Sequence, residues 1–127
     1  MKKSTFKAVF PIGDTNVLAL PVPNLDDAIL YYHENLGFTL KEKKEVAPAT
    51  AILYRDAVEI GLVENGGDPW QYSCYFQVSD MNALYEELKE KSTLNLSEIK
   101  DMKDEHGQYR AFFMRDTDGL CYCVGEI

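Results

Sequence analysis

Sliding the chain along itself by 56 residues places Val22 over Val78, Asn24 over Asp80 and Leu25 over Met81. In each copy an extended apolar stretch runs into a short polar residue, and apolar residues at helical spacing follow. The first copy is VLALPVPNLDDAILYYHENLGF, residues 17–38. Val17–Val22 reads as a buried strand ended by Pro23-Asn24, with Asn24 as N-cap and Asp26 and Asp27 in the first helical turn, where the helix dipole favours acids. Leu25, Ala28, Ile29, Tyr32 and Leu36 form one apolar face, and Gly37 supplies the left-handed residue that ends the helix. In the second copy Tyr72–Val78 is the strand and Asp80 the cap. Met81, Leu84, Tyr85 and Leu88 share a face, and Glu87 stands four residues before Lys91 within a charged run, 86–91, that reads as a solvated helix face.

Three further strands follow each helix. In the first half they are Phe38–Ala47, exposed and charged, then a hairpin of Thr50–Tyr54 and Ala57–Val63 about Arg55-Asp56. In the second half they are Leu94–Lys100, Tyr109–Arg115 and Leu120–Glu126, with Asp116-Thr117-Asp118-Gly119 as a four-residue turn. Each half therefore reads strand, helix, strand, strand, strand. One helix covers only one face of such a sheet, so the other face must meet a partner or curl around something. The expected fold class is α+β: two β-α-β-β-β modules forming curved mixed sheets around a cavity. Residues 1–15 read as an N-terminal arm, with Phe6, Val9, Phe10 and Ile12 available for packing. Residues 16–127 read as a single domain of two modules, about 16–66 and 70–126, divided at Asn65-Gly66-Gly67-Asp68-Pro69.

Thirteen basic against 21 acidic residues give a net charge of −8, which repels nucleic-acid backbones and anionic lipid. No apolar run approaches the roughly 20 residues a membrane span needs, and 1–15 lacks the continuous apolar stretch of a signal peptide. The expectation is a cytoplasmic protein with no nucleic-acid or membrane partner. Its three cysteines, Cys74, Cys121 and Cys123, are expected as reduced thiols of the core.

The runs V-P-N-L-D-D-A-x-x-x-Y-x-x-x-L-G-F, F-Q-V-S-D-M-N-A-L-Y-E-E-L and R-A-F-F-M-R-D-T-D-G-L, in that order, resemble the glyoxalase/bleomycin-resistance/dioxygenase superfamily, the vicinal oxygen chelate fold. The resemblance covers roughly Val17 to Val124 and implies a homodimer. Members of that family are either metal-dependent enzymes or metal-free binders. In the enzymes, the resemblance implies ligands at places that fall here on Val17, Glu59, Ser73 and Cys123, of which only Glu59 keeps a ligand type. A catalytic divalent ion usually needs about three good protein ligands. His33, on the first helix, is expected to face solvent, and His106 lies in a polar loop. The chain therefore looks closest to the metal-free, bleomycin-resistance-like branch, with no cofactor, metal or catalytic residue.

Strand alternation supplies the candidate ligand-binding residues. Val17, Ala19 and Pro21 are expected opposite the first helix, with Leu18, Leu20 and Val22 beneath it. Ser73, Tyr75 and Gln77 face the cavity, with Cys74, Phe76 and Val78 beneath the second helix. Glu59 shares a face with Gly61, Ala111 with Phe113, and Cys121 with Cys123. Tyr75 and Phe113 would be aromatic walls; Ser73, Gln77 and Glu59 polar handles; and Trp70 a gate at the module junction. The acidic balance suits a cationic small molecule, with Glu59 as counter-charge and Trp70 or Tyr75 for stacking. The alternatives are a metal-dependent lyase, isomerase or dioxygenase using Glu59, Cys123 and a repositioned His106, and a purely structural or regulatory interaction module.

Overall fold

Side-chain caps start both helices where the repeat places them. In a computed structural model, Asn24 Oδ1 accepts from the Asp27 N–H at 2.9 Å and opens α1, Leu25–Leu36. Asp80 Oδ1 accepts from the Ala83 N–H at 2.9 Å and opens α2, Met81–Lys89. A second side chain, a carboxylate in both cases, reaches each helix from the chain end of the half. Glu64 accepts from the Leu25 N–H and Glu126 from the Met81 N–H, both at 2.8 Å, so each first turn has an acid at its positive pole. Gly37, at φ 71°, closes α1 in the left-handed conformation a Cβ would oppose.

The structure describes residues 4–13, 15–90, 95–104, 107–116 and 118–126. The strands are β1 Phe6–Ile12, β2 Leu20–Pro21, β3 Thr39–Lys44, β4 Thr50–Arg55, β5 Val58–Val63, β6 Ser73–Val78, β7 Asn95–Leu96, β8 Lys100–Asp104, β9 Gly107–Arg115 and β10 Cys121–Gly125. One sheet runs β2-β5-β4-β3, with β2 parallel to β5. The other runs β1-β6-β10-β9-β7, with β8 also on β9 and β10 parallel to β6. Leaving β1 aside, both sheets take their strands in the same order, so the repeat is one of topology. The architecture is two helices with two mixed sheets that stay open rather than closing into a barrel. Among the described residues no helix is long and apolar enough to cross a membrane. Lys91, Leu94, His106 and Thr117, which carried expectations above, lie outside the described residues.

Three expectations need correcting. The lead-in arm is a strand, β1, paired antiparallel with β6, and its Phe6 is fully buried. The strand expected over Val17–Val22 has a ladder only at Leu20–Pro21. Asn16 Oδ1 captures the Leu18 N–H at 3.0 Å and turns the backbone there, so Leu18 is 55% exposed and Val17 packs against the core. Glu87, in the run expected to be solvated, takes the Arg55 guanidinium in a bidentate pair, at 2.9 and 3.1 Å. Arg55 is the last residue of β4, and its guanidinium also donates to the Leu36 carbonyl and lies 4.6 Å from the Phe6 ring centroid. It clasps α1, α2 and β1 together.

The core joins the helix-facing sides of both sheets. Rings of Phe6, Tyr32, Phe38, Phe76 and Tyr122 touch in succession, with Phe76 stacked on Tyr122 at 4.8 Å. At its end a polar network is buried. The Tyr32 hydroxyl donates to Asp116 Oδ2 at 2.6 Å and meets the Tyr122 hydroxyl at 2.5 Å. Asp116 Oδ1 accepts from the N–H groups of Asp118, Gly119 and Leu120, so the carboxylate that shapes the β9–β10 turn also receives α1. Burial pushes the Asp116 carboxyl up from 3.8, against these bonds, which pull it down.

Removing one member should cost more than a surface bond. Tyr32→Phe leaves the Asp116 carboxylate and the Tyr122 hydroxyl short of a partner, and urea unfolding should show a loss of about 1–3 kcal/mol. Because the folded carboxyl binds its proton more tightly than the unfolded one, its contribution is present below pH 3.8 and lost as pH rises through the folded value. The stability of the native chain relative to Asp116→Asn should therefore fall as pH is raised from about 3.8 towards neutrality.

Candidate functional site

Alternation along β6 is complete. Cys74, Phe76 and Val78 are buried on the helix side, while Ser73, Tyr75 and Gln77 are half-buried on the other. The register carries that second face across four strands in three rows. One row is Phe10, Tyr75, Cys123 and Phe113; a second is Ile12, Ser73, Cys121 and Arg115; a third is Ala8, Gln77, Gly125 and Ala111. Six of the eight candidate residues (Ser73, Tyr75, Gln77, Phe113, Cys121 and Cys123) thus share one open sheet face. The face is largely apolar and incompletely covered, with Phe10 49% and Ile12 43% exposed.

Two glycines seat two aromatic rings at this face. The Tyr75 hydroxyl lies where a Cβ on Gly125 would be, and the Phe10 ring stands 6.3 Å from the Tyr75 ring. The Trp70 indole lies where a Cβ on Gly119 would be. Trp70 sits in a 3-10 turn, Pro69–Gln71, whose N-cap Asp68 accepts the Trp70 N–H at 3.1 Å. It is 65% exposed and carries the Arg115 guanidinium 4.3 Å from its ring centroid.

Glu59 is elsewhere. It lies on β5, on the exposed face of the other sheet, and pairs with Lys41 at 2.8 Å. The counter-charge expected for a cationic ligand is therefore engaged by a lysine, and the stacking cation expected over Trp70 is the chain's own Arg115. Sequence reasoning missed Arg115 because it was read as the end of a strand, although its alternation with Phe113 and Ala111 marks its face.

Chemically the face offers rings, amide and hydroxyl groups and thiols. Burial pushes the Cys123 thiol up to about 11 and the Cys74 thiol up to about 12, so both stay protonated at neutral pH. Of the positions the resemblance points to, Val17 offers no side-chain donor and Glu59 is ion-paired with Lys41 on the other sheet. Among the described residues no group of three or more His, Cys, Asp or Glu side chains converges. A cleft of about 310 Å³ is lined by Leu96, Ser97, Phe113, Met114, Arg115 and Cys121.

The family model described as Glyoxalase/Bleomycin resistance protein/Dioxygenase superfamily matches residues 15–123. The chain belongs to this superfamily. No curated protein sequence matches the chain. Among solved structures it is similar to the bleomycin resistance determinant encoded on the transposon Tn5, at 19% identity and TM-score 0.71, over 90% of this chain and 98% of that one. A bleomycin-binding protein complexed with bleomycin matches at 20% identity and TM-score 0.71, over 91% and 99%. The bleomycin-binding protein of the bleomycin producer Streptomyces verticillus, complexed with copper(II)-bleomycin, matches at 18% identity and TM-score 0.69, over 87% and 93%. At these identities the likeness is one of fold, shared across the superfamily.

The glycine seat of Tyr75 is open to a double-mutant cycle. Gly125→Ala should cost about 1–3 kcal/mol by overpacking against the Tyr75 ring. In a Tyr75→Ala background the same change should cost much less, a coupling that urea unfolding of the four proteins would measure.

Proposed function

We propose that the chain binds a small organic molecule and does not turn it over, using the second-half face that carries Phe10, Tyr75, Cys123 and Phe113 in one row. The observation that carries this reading is the row itself: rings and small polar groups aligned in register on a sheet face that no helix covers. Ser73 and Gln77 orient the ligand, and Trp70 stands at the rim. The molecule works in the cytoplasm as a homodimer, with a second copy completing the crevice over the exposed Phe10 and Ile12. Nucleic acid and membrane are not partners. The fold neighbours that bind bleomycin support small-molecule binding as the activity class and make bleomycin one probe among several.

Trp70 is the chain's single tryptophan, so its emission reports on this face directly. Bleomycin and a panel of neutral, cationic and anionic aromatic compounds should include at least one that shifts Trp70 emission saturably. Tyr75→Ala should weaken that ligand about 10-fold, the loss of roughly one well-packed ring contact. Unchanged affinity in Tyr75→Ala would remove the reading. Metal analysis of protein purified without chelators addresses the enzymatic alternative: one zinc, nickel, manganese or iron per chain, lost in Glu59→Ala, would favour it instead.

A further inference from the structure

Two of the three arginines of this acidic chain, and the lysines of β3, have carboxylates within reach. Lys41 has Glu59, Lys43 has Asp26 and Glu45, Lys44 has Glu42, Arg55 has Glu87 and Asp56, and Arg110 has Asp101. Arg115 is the exception among the arginines: no carboxylate of the described residues stands within 4.0 Å of it. It is also held in place. Its Nη1 donates to the Gly119 carbonyl at 2.6 Å, and the Trp70 ring lies against its guanidinium. Gly119, at φ 108°, makes room for that indole. A half-buried guanidinium with one donor used, one face stacked and no described carboxylate in reach is a cation prepared for a partner.

What it faces defines the partner. Arg115 lines the cleft of about 310 Å³ with Leu96, Ser97, Phe113, Met114 and Cys121, and no acid is among these described residues. The remaining polar group there, the Ser97 hydroxyl, is committed: it accepts from the Phe113 N–H and donates to the Glu98 carbonyl, both at 2.9 Å. The cleft therefore offers one positive fork set in apolar walls. We infer that this cleft is an oxyanion subsite, in which Arg115 grips the carboxylate or phosphoryl group of a ligand whose apolar body lies against Phe113 and the Trp70 indole. The inference rests on the binding reading above and names the ligand class: an organic acid of ring size rather than an organic cation. The net negative charge of the chain does not decide the matter, because a short-range contact to a half-buried guanidinium outweighs screened charges farther away.

Trp70 emission and matched probes test this without knowing the natural ligand. Phenylacetate should shift the emission saturably, and the isosteric neutral phenylacetamide should bind at least about 10-fold more weakly, as the loss of a charge-assisted bond requires. Arg115→Gln should weaken phenylacetate by about 10- to 100-fold and leave phenylacetamide unchanged, with Arg115→Lys in between because it keeps charge but not the fork. Phenyl phosphate binding more tightly than phenylacetate would assign the oxyanion to a phosphoryl group. Inorganic phosphate binding as well as phenyl phosphate would assign it to the free ion. Acid and amide binding equally, or Arg115→Gln leaving phenylacetate unaffected, would overturn the inference. If compounds of the earlier panel still bind with dependence on Tyr75, the oxyanion subsite falls alone. If phenylacetate binds through Arg115 while Tyr75→Ala changes no ligand, the broader reading falls instead.

Discussion

Everything in this fold hangs on the contact between the two halves made by Tyr32, Asp116 and Tyr122. Each module, taken alone, is a small sheet with one helix, too little to bury a core that offsets the entropy of ordering its chain. The aromatic series from Phe6 through Phe38 and Phe76 to Tyr122 merges the two helix-facing sides into one interior. Rings alone leave sliding and rotation cheap. The network at the end of the series is directional: a carboxylate fixed by three backbone N–H groups of the β9–β10 turn takes the Tyr32 hydroxyl from α1. That bond sets the angle between the modules, and it seats the turn on which Gly119 and Trp70 rest.

Much of this was legible in the chain. Asn24 and Asp80 at the same place in two apolar patterns were enough to start both helices, because a cap is a local device written in a few neighbouring residues. The alternation of Ser73, Tyr75 and Gln77 with Cys74, Phe76 and Val78 was legible for the same reason. What escaped was set by distance in sequence. Glu64 and Glu126 reach helices that began 39 and 45 residues earlier, and nothing near them announces it. The partnership of Arg55 with Glu87 was hidden behind a tidier local reading of Glu87 with Lys91. Phe6–Ile12 looked like an arm because its partner strand, Ser73–Val78, lies far along the chain and belongs to the other half.

The first strand of the repeat failed for a different reason. Val17–Val22 has the composition of a buried strand, but Asn16 offers its own side chain to the Leu18 N–H and wins locally over the ladder. Pro21 and Pro23 then withhold further donors, leaving two paired residues. Gly61 completes the arrangement, since the Leu18 carbonyl lies where its Cβ would be. Position 17, where the superfamily resemblance places a metal ligand in the enzymes, holds a valine that packs against the core.

The two halves share a topology and differ in what their open faces carry. On the first-half sheet the exposed face holds ion pairs, Lys41 with Glu59 and Lys44 with Glu42, whose charges are satisfied within the chain and hydrated outside it. On the second-half sheet the corresponding side holds Phe10, Tyr75 and Phe113 in one row, with glycines cut away beneath Tyr75 and Trp70. Such rings gain little from water, and among the described residues no carboxylate reaches the Arg115 beside them, whereas Lys41 and Lys44 on the first sheet have theirs. The repeated topology thus carries two unlike surfaces, one of paired charges and one of rings beside a cation. A ligand bound on the second, as proposed above, would meet the local charge of Arg115 before the net charge of the chain, because screening weakens the distant charges.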